Sequence, residues 1–183
     1  MALFTGKGDD GTTKTFGCDQ RISKSSAVAE ALGALDEINS FLGLVKIKSK
    51  DVGSLGEKNI ESLIHSLQES LFIVQAEVAG AEKRVGAEKV KELEELIALA
   101  EIELPPIKTF FISGGTELGA LFDISRTIAR RAERRVIKVK EEGGVNVSPN
   151  ILKFLNRLSS MLYALARLTN HRSGIKESAP SYL

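Results

Sequence analysis

Cysteine is almost missing from this 183-residue chain. Cys18 stands alone, so no internal disulfide can form, which fits a reducing compartment. Histidine is nearly as scarce: His65 and His171 have no cysteine cluster to join, so no protein-held metal ligands are expected. No Ser-His-Asp or Cys-His arrangement is legible either, and Cys18 reads as incidental rather than nucleophilic. Aromatics make up 5% of residues and the net charge is +1, which argues against nucleic acid as a partner. No apolar run approaches the roughly 20 residues of a membrane span. The first residues lack a basic stretch followed by an apolar one, so no secretion signal is expected and cytoplasm is the default. There is no convincing alternation of a β pattern, no internal repeat, no low-complexity block and no second domain.

Helical periodicity is what the chain has in abundance. From Ser25 to about Lys46, apolar residues from Ala27 to Val45 recur at three- and four-residue steps. A second helix is expected from about Glu57 to Arg84, and a third, shorter one from Gly86 to about Glu101. Pro105, Pro106 and the pair Gly114-Gly115 forbid helix in "ELPPIKTFFISGGT". A fourth helix spans about Thr116 to Glu141. Ser148 reads as the N-cap and Pro149 as the first residue of a fifth, which runs to about His171. The expectation is an all-α, single-domain, five-helix antiparallel bundle over residues 1–183. A glycine-rich loop (about 4–24) would precede the bundle, and a short loose tail (about 174–183) would follow it.

The stretch "TGKGDDGTT", residues 5–13, fits no standard phosphate or calcium loop. Gly6 and Gly11 have P-loop spacing, but Thr12 stands where the lysine should be, and too little chain precedes it for a buried strand. No glutamate closes an EF-hand from Asp9 or Asp10. Two readings stay open: a loose chain end, or an anion loop whose glycines allow close approach while Thr5, Lys7, Thr12, Thr13 and Lys14 donate.

The fourth helix separates its charges by face. Leu118, Leu121, Phe122, Ser125, Ile128, Ala129, Ala132, Val136 and Val139 form a core stripe at about 100° per residue. Arg131, Arg135 and Lys138 lie opposite, as ordinary solvent charges. Arg126, Arg130 and Glu133 fall on the border of the stripe, where partly desolvated charges need partners; they make a ready anion or salt-bridge site. On the fifth helix Asn156, Tyr163, Arg167 and Asn170 edge a stripe of Leu155, Leu158, Leu162, Leu165, Ala166 and Thr169. Asparagines in such places are more often structural hydrogen-bonders than ligand contacts. Asp36 and Asn39 flank the apolar face of the first helix, and Asp36 could pair with a bordering arginine.

Five collinear segments carry a resemblance: "TGKGDDGTTKTFG", "RISK", "EALGALDEINSFLG", "FFISGGTELGALFDISRTIARRAERRV" and "FLNRLSSMLYALARLTNHRSG". Together they resemble ATP:cob(I)alamin (corrinoid) adenosyltransferases of the propanediol-utilisation type. The resemblance implies a five-helix bundle, usually a homotrimer with sites between subunits. It implies transfer of the 5′-deoxyadenosyl group of ATP to cobalt of cob(I)alamin, giving adenosylcobalamin and triphosphate. The implied cofactors are ATP, Mg2+ and the corrinoid, with a reductase and an adenosylcobalamin-dependent enzyme as possible partners. The implied ATP contacts are Thr5, Gly6, Lys7, Gly8, Thr13, Lys14 and Lys24, with Arg130, Glu133 and Arg134 from the fourth helix and Asn156 from the fifth. Asp36 and Arg126 match a salt bridge between helices at the corrinoid side. Phe110 matches the phenylalanine that crowds the lower face of cobalt. Three positions depart from the pattern: Ser113 stands where proline is usual, "GCD" at 17–19 replaces a more glycine-rich stretch, and Ser160 replaces an aspartate. The alternative is a non-catalytic bundle that binds nucleotide or corrinoid as a sensor.

Overall fold

The computed structural model describes residues 3–15, 20–50 and 52–182; Cys18 and the rest of the "GCD" stretch lie outside the described residues. Five helices dominate: α1 (Ala27–Lys48), α2 (Ile60–Val78), α3 (Ala87–Glu103), α4 (Glu117–Glu142) and α5 (Pro149–Arg172). Side chains explain three of the starts. Ser26, Asn59 and Thr116 each accept a hydrogen bond from a first-turn N–H, of Ala29, Glu61 and Gly119 respectively. At α5 the expected cap works differently. The Ser148 hydroxyl makes no cap bond; the Ser148 N–H instead donates to Oε1 of the buried Glu77 at 2.9 Å.

The second helix is shorter than its periodicity suggested, and the residue expected to open it sits in a β-ribbon turn. β3 (Ser54–Leu55) pairs antiparallel with β4 (Lys58–Asn59) just before α2. A second ribbon joins β1 (Thr12–Lys14) to β2 (Arg21–Ser23). Both correct the expectation of no strands. Ribbons two or three residues long hold too few positions for alternation to register in a sequence.

Helix α1 packs on α2 and α4, and α5 packs on α4 and α3. The α1/α4 pair is antiparallel: Arg131 meets Glu37, Arg135 meets Glu30, and Lys48 near the end of α1 meets Glu117 at the start of α4. By contrast α3 and α5 run the same way, with Arg157–Glu94 and Arg172–Glu103 as successive rungs. The connection 104–116 returns the chain to the start of α4 and becomes a wall of the site. The apolar stripes point inward as expected, with Phe122, Phe154, Leu155, Leu158 and Leu162 sealed from solvent. No helix among the described residues is long and apolar enough to cross a membrane.

Candidate functional site

The N-terminal loop is built, not loose. Gly6 and Gly11 take positive φ of 68° and 79°, which a side chain would resist. Tight turns close on Gly6 O and Gly8 O, which accept from Asp9 N and Gly11 N at 3.2 Å. Lys24 Nζ donates to Gly8 O at 2.7 Å, and Arg21 reaches back to Lys7 O, Thr12 O and the Thr12 hydroxyl. Asp10 accepts from the Thr12 N–H and hydroxyl, which hold its carboxyl below the usual carboxylate range. The β1–β2 ribbon fastens this knot ahead of α1. Thr5, Lys7 and Lys14 stay exposed beside it, a rim of donors suited to an anion. No periodicity or motif spacing singles out Arg21 in the sequence. Its role depends on the ribbon register, in which Lys14 faces Arg21.

A second group of candidates lies on α4 and α5. Arg130 and Arg134 are exposed; Glu133 accepts from Asn156 Nδ2 at 3.4 Å, and Arg157 caps the Asn156 oxygen at 2.7 Å. Arg126 sits one turn before Arg130, with its guanidinium 5.7 Å from the Tyr163 ring centre and 3.4 Å from Asp123. Asp36, expected to pair with Arg126, is exposed on α1, and no ion pair joins the two among the described residues. Among the described residues no hydrogen bond or ion pair of residues 5–13 or 21–24 reaches α4 or α5.

Arg126 and Arg130 open into a cleft of about 760 Å3. One wall is the connection 107–115, from which Phe110 projects 79% exposed. The C-terminal segment 175–178, joined to that connection, and Tyr163 of α5 line it as well. Burial pushes the Tyr163 phenol above its ordinary value, so it keeps its proton and remains a donor at neutral pH. The tail expected to be loose from about 174 is tied down here. Ile112 N donates to Ser178 O at 2.8 Å. Arg167, only 6% exposed, grips Glu177 with two hydrogen bonds, reaches Pro105 O at 2.9 Å, and lies 5.3 Å from the Phe111 ring centre. The Glu177 carboxylate raises the Arg167 pKa still further, against the opposing effect of burial. Sequence reasoning placed Arg167 on a helix edge but missed Glu177 as its partner. The pairing needs the chain to turn back after α5, and no periodicity announces that.

These parts offer exposed donors on the N-terminal loop, guanidinium groups on the border of α4, and a cleft with an exposed aromatic ring. Among the described residues no three His, Cys, Asp or Glu side chains gather as a metal-holding group.

Comparison with known proteins places this geometry. A family model described as cobalamin adenosyltransferase matches residues 3–169. The chain is 35% identical over its whole length to the corrinoid adenosyltransferase PduO of Salmonella typhimurium, covering 55% of that protein. It is 36% identical to a corrinoid adenosyltransferase of Bacillus subtilis, over 96% of this chain and 90% of that one. The chain thus spans about half the length of the PduO relatives it matches and nearly all of the Bacillus one. A PduO-type ATP:corrinoid adenosyltransferase from Lactobacillus reuteri, solved as a phenylalanine-to-histidine variant with cobalamin and ATP, superposes with a TM-score of 0.89 at 26% identity, covering 98% of this chain and 97% of that one. An arginine-to-lysine variant of that protein was solved with ATP, with a TM-score of 0.86 at 27% identity, over 97% of this chain and 99% of that one. The two substituted positions stand twenty apart in that protein. Phe110 and Arg130 have this separation, and so do Phe111 and Arg131. Phe110, Phe111 and Arg130 line the cleft, whereas Arg131 faces Glu37 on α1.

Proposed function

The chain belongs to the cobalamin adenosyltransferase family, and from that premise we propose that it transfers the 5′-deoxyadenosyl group of ATP to the cobalt of cob(I)alamin, forming adenosylcobalamin and triphosphate. The observation that carries this reading is the opening of Arg126, Arg130 and Phe110 into one cleft. In the transfer a Co–C5′ bond forms and the C5′–O5′ bond breaks. Cobalt gives up two electrons, and the departing pair stays on the triphosphate oxygen. The corrinoid is itself the nucleophile, so the protein needs neither a nucleophile nor a general base. Its work is to align cobalt with C5′ and to stabilise charge on the leaving triphosphate.

Each group has a role in this reading. Thr5, Gly6, Lys7, Gly8, Thr13, Lys14 and Lys24 hold ATP, joined by Arg130, Glu133, Arg134 and Asn156. Phe110 crowds the lower face of cobalt and keeps an axial ligand away. The site is completed between copies in a homotrimer, with the loop of one copy over the arginine border of the next and Asp36 of one copy facing Arg126 of its neighbour. Mg2+ would be carried by the ATP phosphates, its usual partners beside one or two carboxylates. A reductase that supplies cob(I)alamin and an enzyme that consumes adenosylcobalamin are the implied partners, in the cytoplasm.

The test is to incubate the protein with ATP, Mg2+ and chemically reduced cobalamin, following the visible spectrum and the released phosphates. Adenosylcobalamin and triphosphate in equal amounts support the transfer. Bound nucleotide with an unchanged corrinoid spectrum would instead mark a sensor.

A further inference from the structure

We propose that Asn170 is a positioning residue for the corrinoid side of the cleft: it fixes the Gly114-Gly115 turn from whose upstream arm Phe110 projects. The inference rests on the adenosyltransferase reading given above.

Asn170 lies in the last turn of α5 and is 7% exposed. Both ends of its amide are engaged. Nδ2 donates to Gly114 O at 2.7 Å, while Oδ1 accepts from Thr116 N and from the Thr116 hydroxyl, both at 2.9 Å. A carbonyl can only accept and a backbone N–H can only donate, so these partners force the orientation of the amide. The Thr116 hydroxyl in turn accepts from Gly119 N at 2.9 Å, which starts α4. One side chain therefore bridges Gly114 and Thr116, on either side of Gly115, and holds this turn at the end of α5. Its backbone oxygen also accepts from Ile175 N at 2.9 Å, and Ile175 lines the same cleft.

The glycines are cut to this side chain. A Cβ at Gly115 would lie 2.7 Å from Asn170 Oδ1, and one at Gly119 only 2.3 Å from it. Gly115 also takes a φ of 113°, closed to most side chains. Phe110 stands four residues before Gly114. The anchors between them are Arg167 on the Phe111 ring and the Ile112–Ser178 hydrogen bond. Asn170 belongs to neither group of ATP contacts, so disturbing it should reach the corrinoid and spare the nucleotide. A purely structural asparagine would lower stability and leave both substrates' KM values alike.

The experiment compares Asn170→Asp, Asn170→Ala and Gly119→Ala with the unaltered protein. Asn170→Asp keeps the shape and the acceptor for Thr116 but sets a carboxylate oxygen against Gly114 O. The expected result is a rise of about tenfold in KM for the corrinoid, with KM for ATP held within about twofold. The double variant Asn170→Ala/Gly119→Ala should be no worse than the poorer single one, since both changes break one contact. Hydrogen exchange supplies a readout that needs no turnover: the amides of Ile112 to Thr116 should exchange faster in all three variants. An unchanged corrinoid KM, equal rises for both substrates, or unaltered exchange over this segment overturns the proposal. So does failure of every variant to fold, which would make Asn170 structural only. If the unaltered protein fails to adenosylate cobalamin, the functional reading falls, and the exchange measurement still decides the role of Asn170.

Discussion

Arg130 and Arg131 are consecutive, yet the helix turns them about 100° apart. Arg130 opens into the cleft, and Arg131 reaches Glu37 across the α1/α4 contact. Arg130→Ala should therefore lower kcat/KM for ATP by about 10–100-fold, the size of a lost charge-assisted hydrogen bond of about 1.5–3 kcal/mol. Arg131→Ala should leave turnover near that of the unaltered protein. It loses only a half-exposed ion pair, worth about 0–1 kcal/mol. Steady-state kinetics on the two variants checks the assignment; equal losses would remove it. Phe110 allows a second separation. It is mostly exposed, so Phe110→Ala opens no core cavity, and stability should shift by no more than about 0.5 kcal/mol. Turnover should nevertheless fall about tenfold or more if the ring crowds cobalt. Thermal melts beside kinetics distinguish the two effects.

Elements carry the next predictions. Gly6, Gly8 and Gly11 make the N-terminal loop costly to fix, and bound phosphates can offset that cost through backbone N–H groups and Lys7. Deleting residues 1–8 should raise KM for ATP while helical circular dichroism is retained. Proteolysis near Lys7 and Lys14 should slow when ATP and Mg2+ are added; equal cleavage with and without nucleotide would show that the loop does not cover it. The α3/α5 rung gives a pH signature. Arg172 donates to both Glu103 oxygens, at 2.7 and 2.8 Å, and holds the Glu103 pKa below its ordinary 4.5. A depressed carboxylate contributes stability that is present above the unfolded value and lost as pH falls through the folded one. Glu103→Gln should therefore lower Tm at neutral pH, with the difference from the parent closing below about pH 4.5. A difference that persists unchanged at pH 3 would contradict the pairing.

The same elements show what could be read in advance. The stripes of α4 and α5 were legible because burial repeats with the helical period, from Leu118 to Val139 and from Leu155 to Thr169. The border position of Arg126 and Arg130 came from that geometry alone. The β1–β2 ribbon was not legible, since its three-residue strands carry no period and its stability comes from Arg21 and Lys24 reaching back to the loop. The tied C-terminal segment was hidden for a similar reason. Its polar composition reads as solvated, and only the fold reveals Arg167 buried beneath Glu177. Arg126 is paired with Asp123 in its own helix, and no ion pair to Asp36 is found among the described residues.

At the scale of the whole molecule, the N-terminal loop and the arginine border are two halves of one proposed site, and among the described residues no hydrogen bond or ion pair of residues 5–13 or 21–24 joins them. Closed cyclic symmetry brings such halves together once per subunit boundary. Light scattering should accordingly report a trimer at working concentration. The most direct measurement is complementation between two inactive variants, Lys7→Ala/Lys24→Ala in the loop and Arg130→Ala on α4, coexpressed so that subunits mix. Each boundary takes its loop from one copy and its arginine from the next, so about one boundary in four recovers both intact halves. The account predicts that adenosylcobalamin formation from ATP and reduced cobalamin returns to about a quarter of the unaltered rate. Activity no higher than that of either variant alone, beside an active unaltered protein, would contradict it.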